Sequence, residues 1–161
     1  MFKKILSFIL ICIISIPLVA CGGNEEDTSE IEKVDEITLT KDEENKALEN
    51  INLMCEDTAY DKADIKIKTE LQEDYTKTSN VLKLIVIKDR TEVETYYSLN
   101  GAGDDIKDSI KKSLALDTAI TSASEEINKI NDFDKIVAVL YSSEQDYKDD
   151  NSYCTDILNI E

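Results

Sequence analysis

Ser109 and Lys112 stand three residues apart, a spacing that puts a hydroxyl and an amine on one face of a helix turn. Such a pair can do nucleophilic chemistry, with the lysine as base and the serine as attacking group. Ser98 and Asn100 offer a second hydroxyl with an amide two residues on. The chain has no His, which excludes a Ser-His-Asp or Cys-His triad and a His-ligated zinc site. Carboxylates offer a different chemistry. Asp132 with Asp134, and Asp146 with Asp149, Asp150 and Asn151, are oxygen donors of the kind calcium takes. Neither group has the Asp-x-Asp-x-Asp-Gly frame with a twelfth-position Glu, and 35 acidic residues make such pairs common by chance. Gly101-Ala102-Gly103 lacks the third glycine of a dinucleotide loop, and acidic residues follow it where a phosphate would sit. It reads as a turn or hinge. We therefore expect no cofactor, no resident metal and no catalytic residue, with Ser109 and Lys112 as solvent-facing helix residues.

The clearest signal lies at the start of the chain. Lys3 and Lys4 form a positive segment, and Ile5 to Ala20 is almost wholly apolar. Sixteen residues of helix reach about 24 Å, short of a hydrocarbon core of about 30 Å. That length fits a removable signal better than a spanning helix. Pro17 breaks the segment, and Leu18-Val19-Ala20-Cys21 follows. These four residues resemble the lipobox of bacterial lipoproteins. The resemblance covers residues 1–24 and implies removal of residues 1–20, with Cys21 diacylated as the new N-terminus. Two acyl chains give stable attachment where one would be marginal. Ser109-x-x-Lys112 is in turn similar to the nucleophile motif of penicillin-binding proteins and serine β-lactamases. However, Ser98-x-Asn100 precedes it rather than following, and Lys-Thr-Gly is missing.

Charge narrows the partners. The formal net charge is −17, and loss of Lys3 and Lys4 takes the exported part to −19. That balance argues against nucleic acid, whose affinity rests on cations neutralising phosphates. It also means that lipid, not electrostatics, must hold the chain at an anionic membrane. Residues 21–39 are acidic and poor in large apolar groups, so they read as a flexible, self-repelling tether carrying the lipidated Cys21. Residues 40–161 read as one domain.

Several elements must position any site. Thr40 and Glu43 have capping-box spacing, and Ala47, Leu48, Ile51, Met54 and Cys55 follow at helical period, predicting a helix over 41–56. Ala63 to Leu71 alternates as a strand with one wet face, and Val81 to Ile87 is a continuous apolar run. Lys88 to Thr91 can turn the chain, and Glu92 to Leu99 alternates again, so the latter two runs are expected to form a hairpin. The glycine cluster is the place for positive φ at the exit from this strand block. Helices are predicted over about 104–117 and 119–131, and Phe133 to Tyr141 as a central strand. The expected fold is α+β, a small and mainly antiparallel sheet of about four strands with helices on one face, in the order α-β-β-β-α(α)-β.

Cys55 and Cys154 form an even pair in an exported domain, and a disulfide between them is expected. It would close a loop of 98 residues. Three functions remain. The first is a membrane-anchored extracytoplasmic lipoprotein whose non-catalytic domain binds a ligand or an envelope protein. The second is an immunity-type lipoprotein that sequesters cationic peptides, toward which a −19 domain would steer. Exposed Tyr beside carboxylates would suit such ligands. The third is a Ser/Lys envelope hydrolase. The oligomeric state is left open by the sequence.

Overall fold

Thr40 starts the first helix as its sequence dictates. Its Oγ1 accepts from the Glu43 amide at 3.3 Å, and the Glu43 carboxylate accepts from the Thr40 amide at 2.8 Å. Two amides that a helix start would leave unpaired are thereby satisfied. The computed structural model describes residues 34–75, 77–114, 116 and 133–159. Helix α1 spans Lys41–Cys55 and buries Ala47, Ile51 and Cys55, one turn apart along a single stripe. Strands β1 (Asp64–Glu73) and β2 (Thr78–Ile87) then form an antiparallel hairpin, in register from Asp64↔Ile87 to Glu73↔Thr78. Asp74 and Lys77 exchange backbone hydrogen bonds of 2.9 and 3.3 Å across the turn.

The next element departs from the sequence reading. Arg90–Leu99 is helix α2, not a third strand, and the expected hairpin of 81–87 with 92–99 gives way to that of β1 with β2. Three local signals favour the helix. The Asp89 carboxylate accepts from the Thr91 and Glu92 amides at 2.8 and 3.1 Å, an N-cap. Arg90 pairs with Glu94 one turn on, at 2.9 Å. Gly101, at φ 82°, ends the helix, with its amide bonded to Ser98 O and that of Ala102 to Tyr97 O. This is a Schellman closure, which wants a residue in the left-handed region. The glycine cluster does supply positive φ, at Gly101 and Gly103 (62°), but at a helix end rather than a strand end. Val93 and Tyr97 fit period two and period 3.6 equally, so alternation alone could not separate the two.

A short 3₁₀ turn, Gly103–Asp105, leads into α3 (Ile106–Leu114). The predicted helix over 119–131 lies outside the described residues. β3 (Lys135–Tyr141) is central as expected, and α4 (Glu144–Lys148) and β4 (Cys154–Asn159) complete the chain. The sheet order is β1-β2-β3-β4. Pairings β1/β2 and β3/β4 are antiparallel, and β2/β3 is parallel. A parallel pair needs a crossover, which is what α2 and α3 occupy. The fold is therefore α+β with a four-stranded mixed sheet.

Alternation along β2 and β3 divides the core. Leu82, Leu84 and Val86 join Ile136, Ala138 and Leu140 under α1, α2 and α3. Val81, Ile85 and Ile87 join Val137, Val139 and Tyr141 on the other face, where Tyr147 of α4 packs.

Residues assigned by sequence to the tether are partly held by this body. Asn80 is 3% exposed. Its side chain accepts from the Ile37 amide at 3.0 Å and donates to Asp35 O at 3.1 Å. Ile37 and Leu39 pack against the main cluster. Asn80→Ala is expected to lower stability by about 1–3 kcal/mol, the cost of unmaking buried hydrogen bonds. It should also speed cleavage after Glu36 by a Glu-specific protease, read by intact-mass analysis.

Candidate functional site

β2 and β3 run parallel, so their carboxyl ends, Ile87 and Tyr141, lie side by side. In mixed α/β sheets a crevice beyond such ends is a common ligand position. Here α2 follows β2 after two residues, and Ser142 and Ser143 lead from β3 into α4. The loop after α4 returns to start β4, held by Tyr153 N donating to Leu140 O at 2.8 Å. Between these segments opens a cleft of about 300 Å³, lined by Arg90, Lys107, Ser142, Asp146, Asn151, Ser152 and Tyr153.

Tyr153 organises it. Its hydroxyl donates to Glu94 Oε1 at 2.6 Å, and the same oxygen accepts from Arg90 Nε at 2.9 Å. Those two bonds, the Tyr153 hydroxyl first, hold the Glu94 carboxyl below the usual range. Burial, and then Glu94, push the Tyr153 phenol up, so it stays a donor. Arg90 Cζ lies 4.4 Å from the centre of the Tyr153 ring and Lys107 Nζ 5.7 Å from it. Asp146 is already engaged, accepting from Ser143 Oγ at 2.5 Å and Asn151 Nδ2 at 3.1 Å. The remaining donors of the Arg90 guanidinium and the Lys107 ammonium meet no carboxylate or carbonyl among the described residues.

A second depression, of about 350 Å³, sits at the opposite end of the sheet among Gln72, Glu73, Asp74, Lys77, Ser79 and Lys135. Its chemistry is less available. Lys77 is spent on Asp134 at 2.6 Å, and this bond and the Asn80 amide hold the Asp134 carboxyl low.

The sequence candidates fall elsewhere. Ser109 and Lys112 both lie on α3, and no hydrogen bond joins them among the described residues. Ser98 is exposed at the end of α2, and Asn100 Nδ2 donates to Tyr96 O at 2.7 Å. The α3 hydroxyl in a network is Ser113. It lies 3.2 Å from the Tyr60 hydroxyl and also bonds the Tyr97 hydroxyl, while Tyr60 reaches Ile110 O at 3.2 Å. This partly buried network ties the residues after α1 to α2 and α3. Asp132 and Cys21 lie outside the described residues. Asp134, Asp146, Asp149 and Asp150 each accept from a protein donor, the last two from Gln145 and Tyr141 at 2.9 Å. Among the described residues no three metal-binding side chains converge.

Cys55 and Cys154 are both buried, and both are free thiols in place of the expected disulfide. Both thiols lie in the main apolar cluster, Cys55 at the end of α1 and Cys154 at the start of β4. Burial, and then Asp61, push the Cys55 thiol up to about 11, and burial raises that of Cys154, so neither is a ready nucleophile.

Sequence reasoning missed the cleft because its parts are single residues far apart in the chain. The Asp89…Glu92 spacing was the one signal that would have placed Arg90 at a helix start. Among the described residues no helix is long and apolar enough to cross a membrane. Comparison of the chain with protein-family models, curated proteins and solved structures found no match.

Proposed function

We propose that this chain is a bacterial lipoprotein, held on the extracytoplasmic face of the membrane by diacylated Cys21, whose domain binds a ligand without transforming it. The observation that carries the binding role is the cleft beside Tyr153, where two cationic side chains have donors to spare. Ser113 is tied to two tyrosines, and burial pushes both thiols up. Asn80, which holds Asp35 and Ile37, lies seven residues along β2 from Ile87. At about 3.3 Å per residue the cleft opens about 23 Å away, at the other end of the strand.

Metabolic labelling with palmitate tests the anchor. The wild-type chain is expected to be labelled and to sediment with membranes, and Cys21→Ser to lose the label. Equal labelling of the variant would end the lipoprotein reading. For the domain, crosslinking on intact cells that recovers neither a small molecule nor a protein would count against a binding role.

Sequestration of cationic peptides keeps one argument, the −19 charge of the exported part. The aromatic faces speak against it. The Tyr147 ring already carries Lys66 and Lys68, at 4.9 and 5.0 Å, and Tyr153 carries Arg90 and Lys107. At these two rings the chain's own cations hold the positions a foreign one would take.

A further inference from the structure

Much of the acid excess is matched by local donors, yet one recess concentrates unused positive charge. Arg90 spends Nε on Glu94 and has the Tyr153 side chain as a second partner, and its terminal nitrogens meet no carboxylate or carbonyl among the described residues. The Lys107 ammonium meets the Tyr153 ring and no carboxylate among the described residues. Both line the cleft together with Ser142 and Ser152. A guanidinium fork, an ammonium and hydroxyls are the donor set that recognises an oxyanion, because charge-assisted hydrogen bonds from them are short and strong. Asp146 is the one carboxylate lining the cleft, and Ser143 and Asn151 already donate to its two oxygens. It opposes an anion by charge without supplying a free acceptor for a cation. Glu94 is likewise shared between Tyr153 and Arg90.

We infer that the cleft beyond the carboxyl ends of β2 and β3 binds the oxyanion group of a small molecule, held between Arg90 and Lys107 against the Tyr153 ring. This rests on the binding role proposed above and names the chemistry of the ligand. The order of the chain makes the arrangement rigid. Arg90 is the first residue of α2, Lys107 lies in the first turn of α3, and Tyr153 is fixed by its amide on Leu140 O. The ligand has to be small, since about 300 Å³ is at the lower end of small-molecule sites.

The test is NMR titration of the full lipidated chain in detergent micelles, at constant ionic strength, with sodium phosphate and sodium acetate as probes. One of the two should give saturable shifts of the Arg90 Nε–H and the Tyr153 amide, with a Kd of about 1 mM or tighter. Tighter binding of phosphate would assign a phosphoryl ligand, and tighter binding of acetate a carboxylate. Lys107→Met, at an exposed position, should weaken binding about tenfold, as should Arg90→Met. Lys148→Met, on α4 outside the cleft, should leave it unchanged. Asp146→Asn should strengthen it about threefold by removing the opposing charge. No saturable shift with either probe overturns the inference. So does binding indifferent to Lys107→Met, and so does weaker binding in Asp146→Asn, because the carboxylate would then be holding a cation. Palmitate labelling of Cys21 is independent of these outcomes, so the anchor and the ligand class can fail separately.

Discussion

Leu84→Ala is expected to destabilise the domain by about 3–4 kcal/mol, measured by urea denaturation. Leu84 has no exposed surface and lies mid-strand on β2, one of the two inner strands. It is opposite Ile67 on one side and Ala138 on the other, so no large neighbour at the Ala138 side can relax into the space. The loss combines the transfer of three methyl or methylene equivalents with the residual cavity. Against a total stability of about 5–15 kcal/mol this is a large share. Leu99, 82% exposed at the end of α2, supplies the contrast. Leu99→Ala should change stability by less than about 0.5 kcal/mol. Equal effects at the two positions would contradict the helix assignment of 90–99, since Leu99 on a strand paired to β2 would face its neighbours.

Alkali is expected to weaken the fold strongly. The Cys55 thiol, 1% exposed, is pushed from 9.0 up to about 11 by burial and then by Asp61. Burial also raises Cys154, Tyr60 and Tyr141, the last from 10.0 to about 12. Each is an acid whose neutral form the fold prefers. The unfolded chain therefore loses its protons first as pH rises, and the stability each group contributes is full below its unfolded value and lost through its folded one. For Cys55 that window is pH 9 to about 11, and two pH units correspond to about 3 kcal/mol. Urea titrations at pH 8 and pH 11 should differ by at least about 2 kcal/mol. Cys55→Ala should flatten this slope, although it lowers stability at pH 8 by opening a small cavity. In the same preparations a thiol reagent should modify Cys55 and Cys154 only after unfolding. A flat profile with no thiol released on unfolding would mean that the two cysteines are bonded after all.

The legible parts of the fold are those written within one element. The α1 cap is spelled by Thr40 and Glu43, and the stripe Ala47, Ile51, Cys55 by helical spacing. Both inner strands were visible as unbroken apolar runs, since a strand covered on both faces has no wet side to alternate. Arg90–Leu99 was misread where two periods coincide, and tertiary pairing decided it. β2 takes β1 on one edge and β3 on the other, leaving no partner for a further strand. β4 and α4 were invisible for a different reason. Residues 144–159 are polar and short-patterned, and their order comes from the edge of β3 and from Ser143 capping Asp146.

The sequence by itself determined the α+β class, the two inner strands, the acidic charge and the exclusion of histidine chemistry. Each follows from composition or from periodicity, which are properties of neighbours in the chain. Only the tertiary structure decided that Cys55 and Cys154 are buried in one apolar cluster as free thiols. It alone brought Arg90, Lys107 and Tyr153 to one ring and fixed Asp35 and Ile37 on Asn80. Those juxtapositions depend on strand order and on the parallel crossover between β2 and β3. Strand order is set by which apolar faces can be buried together, a global balance that no local spacing encodes.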